Sequence, residues 1–304
     1  MDIRALRYFT EVVQYKGFSR AAEALFVTQP AISRSIQKLE HELGFPLLVR
    51  DTGGVTLTDE GAILYEHARR ILVQFQCMNK ALQDKSGPLT GTLNVGLPPV
   101  IASTWFAGII MAFTSRHPQV ELKIFELGTK QMAEAMTDGT VETAAVMLPF
   151  DEQLFDLHRF ATDRLMLLVN HQHPLAAKKQ VSFAEIIREP FVFFSEAFRI
   201  NDLVRSACGI YSTEPVVAGR SNHLDLILAM VRAGGGITLL PDSMWRERTA
   251  DGLVLLPVTD PVLSYDLALA GVRGGYQSRS CRAWNALAME ILGIPYVTGA
   301  GHLL

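Results

Sequence analysis

The sequence predicts an α/β protein: an all-α winged helix-turn-helix module, a long linker helix, and a doubly wound α/β domain. Three patterns support this organisation. The first 58 residues hold short amphipathic helices and one turn-rich stretch, a single helical stripe follows, and strands alternate with helices from about residue 89. Such alternation is typical of doubly wound sheets, whose ligand crevice lies at the carboxyl ends of the strands.

Composition indicates an ordinary globular protein. Of 304 residues, 49% are hydrophobic and 19% charged. The chain start has neither the basic run nor the apolar segment of a secretory signal, and no stretch reaches the roughly 18 apolar residues of a membrane span. We therefore expect a cytoplasmic protein with no membrane role. A net charge of −3 argues against nonspecific coating of nucleic acid, so any DNA binding must be local.

No constellation of residues indicates catalysis. Cys77, Cys208 and Cys281 are odd in number and far apart, which matches neither a disulfide framework nor a metal site. A nucleophile elbow, a phosphate-binding Walker loop and a zinc-binding histidine pair on a helix are not found. His171 and His173 could offer two imidazoles to a metal, but no acidic or cysteine cluster is near them in sequence. We predict no catalytic residue, no metal and no cofactor.

The N-terminal segment predicts three helices. Ser19 is the expected N-cap of the second helix and Thr28 that of the third. Pro30 is tolerated in the first turn of this third helix, which ends before Gly44.

The third helix has two distinct faces. Its apolar face, suited to packing on the preceding helices, consists of Ile32, Ile36, Leu39 and Leu43, and its outward face consists of Gln29, Ser33, Arg34, Gln37 and Lys38. Hydroxyl, amide and guanidinium groups on an exposed second helix meet the chemical needs of major-groove reading. The stretch from Arg50 to Thr58, with a turn at Gly53 and Gly54, predicts a β-wing.

A long helix is predicted from Thr58 to about Lys85. Asp59 and Glu60 suit its positive N-terminal end. Its apolar residues step by four and three along the chain, and they are Leu64, Ala68, Ile71, Phe75, Met78 and Leu82. This stripe fits either a coiled-coil seam or a helix packed on its own domain. The hinge-like Ser86-Gly87-Pro88 favours a partner helix.

The remaining chain carries the α/β pattern. Strands are predicted at Thr92 to Leu97, Val120 to Phe125, Thr143 to Leu148, Leu165 to Asn170, Phe191 to Phe194, Gly236 to Leu240 and Tyr265 to Ala270. The triplet Gly234-Gly235-Gly236 follows a helix and precedes a strand, the reverse of a dinucleotide-binding fingerprint. It is therefore interpreted as a helix C-terminal turn.

Several motifs together resemble one family. The strongest are Phe18-Ser19-Arg20-Ala21-Ala22, Gln29-Pro30-Ala31-Ile32-Ser33-Arg34, Ile36-Gln37-Lys38-Leu39-Glu40, Leu43-Gly44 and Leu57-Thr58-Asp59-Glu60-Gly61. Weaker ones follow at Gly91 to Gly96, His117-Pro118, His173 to Ala176 and Ala233 to Pro241. In these motifs, over nearly its whole length, the chain resembles the LysR-type transcriptional regulators.

The resemblance implies a domain plan. It places a winged helix-turn-helix DNA-binding domain at residues 1–58, a linker and dimerisation helix with its hinge at 59–88, and an effector-binding domain at 89–304. The effector domain would have two lobes similar to periplasmic binding proteins, with lobe I at 89–162 and 266–304 and lobe II at 163–265.

The resemblance also implies DNA-binding residues. Gln29, Ser33 and Arg34 would contact bases or the groove, Thr28, Pro30 and Lys38 would lie near phosphates, and Arg50 would anchor the wing. An isolated Arg or Lys on a helix is more often a solvated surface charge. For Arg34 and Lys38, the surrounding motif favours DNA contact instead. The wing loop adds no further base, and residues 1–58 hold seven bases against six acids. Affinity would therefore depend on avidity between subunits.

Effector-binding residues are implied at the lobe crevice. From lobe I come Pro99, Val100, Thr129 and Met147, and from lobe II come Ser195, Phe198, Arg199, Ser221 and Asn222. A helix N-terminus with a hydroxyl suits an anion, and Thr129 is the leading candidate, although it could equally be a plain N-cap. Arg199 is the nearest cation for a carboxylate, so a small organic or aromatic acid is the candidate effector.

The expected partners follow from this resemblance. They are double-stranded promoter DNA, a small-molecule effector, a second copy through the linker helix, further copies that complete a homotetramer, and RNA polymerase as a candidate. An enzyme and a solute-binding protein without DNA binding are the alternatives. The N-terminal motif and the missing secretory signal argue against the latter.

Overall fold

The computed structural model describes residues 1–51, 54–83, 87–245 and 252–294. The chain divides into two compact units, Met1–Ser86 and Gly87–Leu304. None of the helices in the described ranges combines the length and apolar character needed to cross a membrane. The predicted fold class is confirmed, because helices and a small hairpin form the first unit and α/β lobes form the second.

Three helices of the first unit pack around one apolar core. They are α1 (Ile3–Gln14), α2 (Phe18–Ala24) and α3 (Gln29–Leu43). Phe9 and Ile32 are fully buried in this core, as the helical spacing of apolar residues predicts. The predicted cap of α2 was wrong. Gly17 is the N-cap and the buried Phe18 is already helical, so Ser19 lies inside the first turn.

Helix α3 begins and ends as predicted. Thr28 is its N-cap and Pro30 lies in its first turn. Gly44 ends the helix with a φ of 86° and donates its N–H to the Glu40 carbonyl oxygen at 2.8 Å. This left-handed conformation carries a steric penalty for residues with a Cβ atom, which explains the glycine.

The predicted wing is a two-stranded antiparallel hairpin. It consists of β1 (Leu48–Asp51) and β2 (Gly54–Leu57), with Arg50 opposite Val55. The Glu40 carboxylate accepts the Leu47 N–H at 2.8 Å, and this bond ties α3 to the start of the hairpin. The predicted turn residue Gly53 lies outside the described residues.

Helix α4 (Asp59–Gln83) follows the wing directly. The Thr58 hydroxyl oxygen accepts the Gly61 N–H at 2.9 Å and so caps the helix. Of the predicted seam, Leu64 packs against the core of the first unit and Ala68 is fully buried. The later seam positions are exposed in the single chain, with exposed fractions of 42% for Ile71, 39% for Phe75, 48% for Met78 and 73% for Leu82.

The second unit begins with the elements of lobe I. They are β3 (Gly91–Gly96), α5 (Pro99–Ile101), a π-helical turn (Ala102–Phe106), α6 (Ala107–Arg116), β4 (Val120–Phe125), α7 (Thr129–Thr137) and β5 (Thr143–Met147). Helix α6 packs on one face of this part of the sheet and α7 on the other, which is the predicted doubly wound arrangement.

Lobe II follows, and the chain then returns to lobe I. The elements are β6 (Phe155–Asn170), β7 (Val181–Ser182), α8 (Phe183–Ile186), β8 (Pro190–Phe194), α9 (Ile200–Ile210), β9 (Val216–Ser221), α10 (Leu224–Arg232), β10 (Thr238–Pro241), β11 (Leu253–Thr259), β12 (Ser264–Val272) and α11 (Arg279–Leu292). The glycine triplet forms the turn after α10, as predicted: Gly235 donates its N–H to the Met230 carbonyl oxygen at 2.9 Å.

The sheet is mixed rather than wholly parallel. Within the described residues its strand order is β4-β3-β5-β12-β6-β11-β7, β10 also pairs with β6, and β8 with β9 forms a separate parallel pair. The pairs β3 with β4 and β3 with β5 are parallel, as expected. The antiparallel pairs involve β6 and β12, which run in opposite directions between the lobes.

The two lobes are joined through these continuous strands. Strand β6 pairs with β12 as far as Arg164 and with β10 and β11 from Leu165 onward. The boundary predicted after residue 162 therefore falls inside a strand. Sequence patterning suggested only the second half of β6, because Asp156, His158 and Arg159 interrupt the apolar run in the first half.

Candidate functional site

The outward face of α3 carries the side chains predicted to meet DNA. Thr28, Pro30, Arg34 and Lys38 are exposed, whereas Gln29 and Ser33 are half-buried. The structure thus places these six residues along the first ten positions of one helix and its cap. Arg50 lies in β1, and its side chain is outside the described residues.

The polar groups on this face are largely uncommitted. The Thr28 side chain makes no capping hydrogen bond, so its hydroxyl is free to meet a phosphate. Arg34 forms no ion pair within the described ranges. Lys38 lies 3.9 Å from Glu42, one turn later, in an exposed pair that contributes little to stability.

Sequence patterning gave no role to Phe26, which precedes α3 by three residues. Its side chain is 96% exposed and its φ is +54°, a left-handed conformation that costs free energy for an aromatic residue. Both features are unfavourable for a folded chain alone. An apolar residue before a cap threonine was the signal available in the sequence.

The second unit contains an open cleft between its lobes. Loops that follow β3, β4 and β5 face the loop between β8 and α9 across it. The cleft is lined by Pro98, Pro99, Val100, Ile101, Thr129, Met147, Phe194, Phe198, Arg199, Ile200, Pro241 and Tyr265. The walls are mainly apolar, and Thr129, Arg199 and Tyr265 supply the polar groups.

Six of the nine predicted effector residues line this cleft. They are Pro99, Val100, Thr129, Met147, Phe198 and Arg199. Ser195, Ser221 and Asn222 do not line it. Ser195 and Ser221 are bonded locally: the Ser195 N–H donates to the Ser221 carbonyl oxygen at 3.1 Å, and the Ser221 hydroxyl oxygen accepts the His223 N–H at 3.0 Å. The three residues stay predictions.

Thr129 is the first helical residue of α7 and not its N-cap. Gly128 occupies the cap because a Cβ there would lie 2.2 Å from the Ala197 carbonyl oxygen of lobe II. The Thr129 side chain is 6% exposed and makes no hydrogen bond among the described residues. Its hydroxyl is therefore not consumed by capping and remains available at the cleft.

Polar contacts cross the rim of the cleft beside Thr129. The Arg199 guanidinium donates to the Pro149 carbonyl oxygen at 2.6 Å. Lys130 in α7 lies 3.8 Å from Asp202 in α9. The loop that carries Arg199 is itself fixed by Asn201, which is 1% exposed and donates to two carbonyl oxygens of that loop at 2.9 Å. The cation thus stands at a defined place.

Tyr265 lines the cleft where β12 passes between the lobes. Burial, and next the neighbouring Asp163 carboxylate, raises the pKa of Tyr265 above its usual range. Its hydroxyl lies 3.4 Å from the Asp163 carboxylate, which also accepts the Ser243 hydroxyl and the Arg164 N–H. The phenol therefore stays neutral and presents its ring to the cleft.

Sequence reasoning missed five of the lining residues, which are Ile101, Phe194, Ile200, Pro241 and Tyr265. Pro98 belongs to the turn after β3 to which the resemblance pointed. Ile101, Phe194 and Ile200 are neighbours of predicted positions and could have been included by extending each loop by one residue. Pro241 and Tyr265 reach the cleft only through long-range pairing with β6, a contact that no local pattern reveals.

The thiols and the paired histidines are occupied elsewhere. Cys208 and Cys281 are buried in different apolar clusters, and burial raises the pKa of the Cys208 thiol. The Cys77 side chain lies outside the described residues. His171 contacts the Gly252 carbonyl oxygen at 3.1 Å, and His173 accepts the Leu175 N–H at 3.2 Å.

Two family models match the chain. The model described as a LysR substrate binding domain matches residues 86–292. The model described as a bacterial regulatory helix-turn-helix protein of the lysR family matches residues 3–62. One model matches the helix-turn-helix part of the first compact unit and the other matches most of the second, and residues 63–85 lie between the two matches.

Full-length relatives give the same result. The chain is 35% identical to an uncharacterized HTH-type transcriptional regulator, YwbI of Bacillus subtilis (strain 168). The match extends over 284 residues and covers 93% of this chain and 94% of that protein. It is 28% identical over 262 residues to the DNA-binding transcriptional dual regulator OxyR of Escherichia coli (strain K12), 86% of each protein. A solved variant of full-length OxyR from Pseudomonas aeruginosa superposes with a TM-score of 0.71 at 27% identity, covering 97% of this chain and 96% of that chain.

Proposed function

Because this chain belongs to the LysR family of transcriptional regulators, we propose that α3 reads promoter DNA and that a small acid in the lobe cleft modulates this binding. The observation that supports this proposal best is the cleft itself. Its lining is mainly apolar, and it also contains the fixed Arg199 guanidinium and the Thr129 hydroxyl. This arrangement suits binding better than turnover, so we propose a regulator and not an enzyme, acting in the cytoplasm where promoter DNA lies.

Arg34 is the proposed base-reading residue. It is exposed on α3, has no ion-pair partner among the described residues, and can hold guanine through two parallel hydrogen bonds. Gln29 and Ser33 would add groove contacts from the same face. Thr28, Pro30, Lys38 and Arg50 would meet the phosphate backbone, where the N–H groups of the helix start add an electrostatic attraction.

Phe26 is a further proposed DNA contact. The left-handed backbone at Phe26 lowers stability, and the exposed aromatic ring makes no packing contact among the described residues that would offset this loss. A ring beside the start of a reading helix can cover a deoxyribose or a thymine methyl group. Function at that point would explain why the strained residue is present.

The effector would be a compact organic or aromatic acid. The apolar part of this acid would pack against the apolar lining, which includes Pro98, Pro99, Met147, Phe194 and Phe198. Arg199 would attract its carboxylate and the Thr129 hydroxyl would donate a hydrogen bond to it, beside the positive end of α7. Since Arg199 also reaches Pro149 in lobe I, a bound carboxylate would bridge groups that already join the lobes.

Thiol oxidation is the competing signal, because some relatives are named hydrogen peroxide-inducible genes activators. Reactive thiols are exposed and have a lowered pKa. Cys208 is fully buried, its pKa is raised, and Cys281 belongs to a separate cluster. Neither Cys208 nor Cys281 therefore has the exposure of a reactive thiol, and we propose a bound molecule as the signal.

Members of this family oligomerise, and we propose α4 as the dimer contact. Ile71, Phe75, Met78 and Leu82 step by four, three and four residues and are exposed in the single chain. This is the spacing of a coiled-coil seam. A second copy of α4 would cover the stripe, two such dimers would form the proposed tetramer, and RNA polymerase is a proposed partner at the promoter.

The direct test is a salt-titrated gel shift with DNA from the region upstream of the chain's own coding sequence. The expected result is binding that resists competitor DNA and that changes when a library of small carboxylic acids is added. Thr129→Val, which keeps the shape and removes the hydroxyl, should retain DNA binding and weaken the response. Binding to this upstream DNA and to other promoter regions that competitor DNA abolishes in every case would contradict the proposal.

A further inference from the structure

A second cavity lies in lobe I. It opens between α11 and the lobe I ends of β6 and β12. Its polar lining consists of Thr143, Asp156, His158, Gln277, Arg282 and Asn285. No residue of this lining belongs to the cleft between the lobes.

Strand alternation places two of these polar groups in the cavity. Phe155 and Leu157 of β6 pack on the α7 side of the sheet, so Asp156 and His158 point to the α11 side. The next residue on that side, Phe160, packs against Trp105. The face of β6 beneath α11 is therefore apolar at Phe160 and polar at the start of the strand, where Asp156 and His158 lie.

Of the two charged side chains in the cavity lining, Asp156 has an ion-pair partner and Arg282 has none among the described residues. The Asp156 carboxylate lies 3.1 Å from the Arg273 guanidinium, outside the lining. Arg282 has no carboxylate partner among the described residues, and its one hydrogen bond there goes to the Gln277 carbonyl oxygen at 2.6 Å. A guanidinium has five N–H donors, so most of its donors are uncommitted. Arg282 is thus a cation in the lining that no carboxylate among the described residues neutralises.

Two further side chains in the lining can donate hydrogen bonds. His158 is half-buried and makes no hydrogen bond, ion pair or ring contact within the described ranges. Asn285 accepts the Thr143 hydroxyl at 2.8 Å, which fixes its amide orientation, and its NH2 group contacts only the Cys281 sulfur at 3.7 Å. Sulfur is a weak acceptor, so this amide donor is also poorly satisfied.

We propose that this cavity is a second ligand site, which binds a small hydrophilic anion, either a carboxylate or a phosphate, through Arg282 and His158. An anion would satisfy the guanidinium, the imidazole and the Asn285 amide together. The lining differs from that of the apolar lobe cleft, so the two sites would select different molecules.

The site lies on the strands that reach lobe II. Asp156 is paired with Gly271, and His158 with Leu269, in the register of β6 and β12. The same two strands carry Asp163 and Tyr265 at the crossing between lobes. An anion in this cavity would therefore contact the framework that holds the effector cleft.

Titration calorimetry of the full-length protein with inorganic phosphate and, separately, malonate tests the site, at ionic strength held constant with chloride. One of the two anions should bind saturably, which identifies the ligand class. Arg282→Gln should weaken that binding about tenfold or more, and His158→Gln should weaken it less. Arg116→Gln, on α6 of the same lobe, is the control and should bind as the parent does.

Three outcomes would overturn the site. The first is the lack of saturable binding for both anions in the parent protein. The second is undiminished binding in both Arg282→Gln and His158→Gln. The third is loss of binding in Arg199→Gln instead, which would assign the anion to the lobe cleft. Urea unfolding in chloride confirms that each variant is folded, so a failed Arg282→Gln preparation still leaves His158→Gln as the test.

Discussion

The Arg199 guanidinium and the Pro149 carbonyl oxygen, 50 positions apart in sequence, form a 2.6 Å hydrogen bond between the two lobes. Arg199 also lines the cleft beside Thr129. The cation that would hold an effector carboxylate is therefore part of the link between lobes. Effector binding and lobe geometry would be coupled through this one side chain.

Arg199→Ala should lower the free energy of unfolding by about 1 kcal/mol, since a charge-assisted hydrogen bond at a half-buried position is lost. Urea denaturation measures the change. Arg188→Ala is the matched control, because Arg188 is exposed and makes no contact among the described residues. Equal stability of both variants would mean that the bond between lobes adds nothing.

Arg34→Ala should weaken binding to the cognate operator by roughly 1–3 kcal/mol, or about 5- to 150-fold, because a bidentate base contact is lost. Lys38→Ala should instead weaken binding to all sequences alike and reduce its salt dependence. Gel shifts with specific and scrambled DNA at several salt concentrations distinguish the two effects. Unchanged operator preference in Arg34→Ala would remove it from the base-reading set.

Phe26→Asn should raise stability and lower DNA affinity at the same time. Asparagine tolerates the left-handed conformation at φ +54° better than phenylalanine, so unfolding should cost about 0.5–1 kcal/mol more. Affinity should fall roughly fivefold, since covering about 40 Å² of apolar surface is worth about 1 kcal/mol. A more stable variant with full DNA affinity would show that Phe26 makes no DNA contact.

Phe75→Glu should dissociate the dimer, because a carboxylate would enter the apolar stripe between two copies of α4. Light scattering coupled to size-exclusion chromatography gives the mass. Glu66→Gln also changes one unit of charge but lies nine residues away, half a turn around the helix, and should leave the mass unchanged. A stable dimer of Phe75→Glu would place the contact elsewhere.

The Cys208 thiol should react slowly with thiol reagents in the native protein and rapidly after unfolding. Burial excludes the reagent and raises the pKa of the thiol, so little thiolate forms at neutral pH. Quantified labelling with and without urea measures both rates. Hydrogen peroxide should accordingly leave DNA affinity unchanged. A peroxide-dependent loss or gain of affinity that vanishes in Cys208→Ser would establish thiol sensing instead.

Local patterns were sufficient for the DNA-reading module. The cap at Thr28, the stop at Gly44 and the burial of Ile32 follow from helix geometry and from the φ angle that glycine alone adopts easily. Ser19 shows the limit, because a cap residue type also occurs inside a first turn. Here Gly17 takes the cap and the buried Phe18 begins the helix.

The sequence by itself determined the family through its motifs and the order of elements through local periodicity, because both depend on neighbours within a few positions. The resemblance to the family then pointed to six of the residues that line the lobe cleft. Tertiary structure decided what crosses long sequence distances. It brought Tyr265 and Pro241 to the cleft through β6, decided that Gly128 and not Thr129 is the N-cap of α7, and placed His158 and Arg282 in the lining of one second cavity. Such contacts depend on strand pairing and on the space between packed lobes, which no local periodicity encodes.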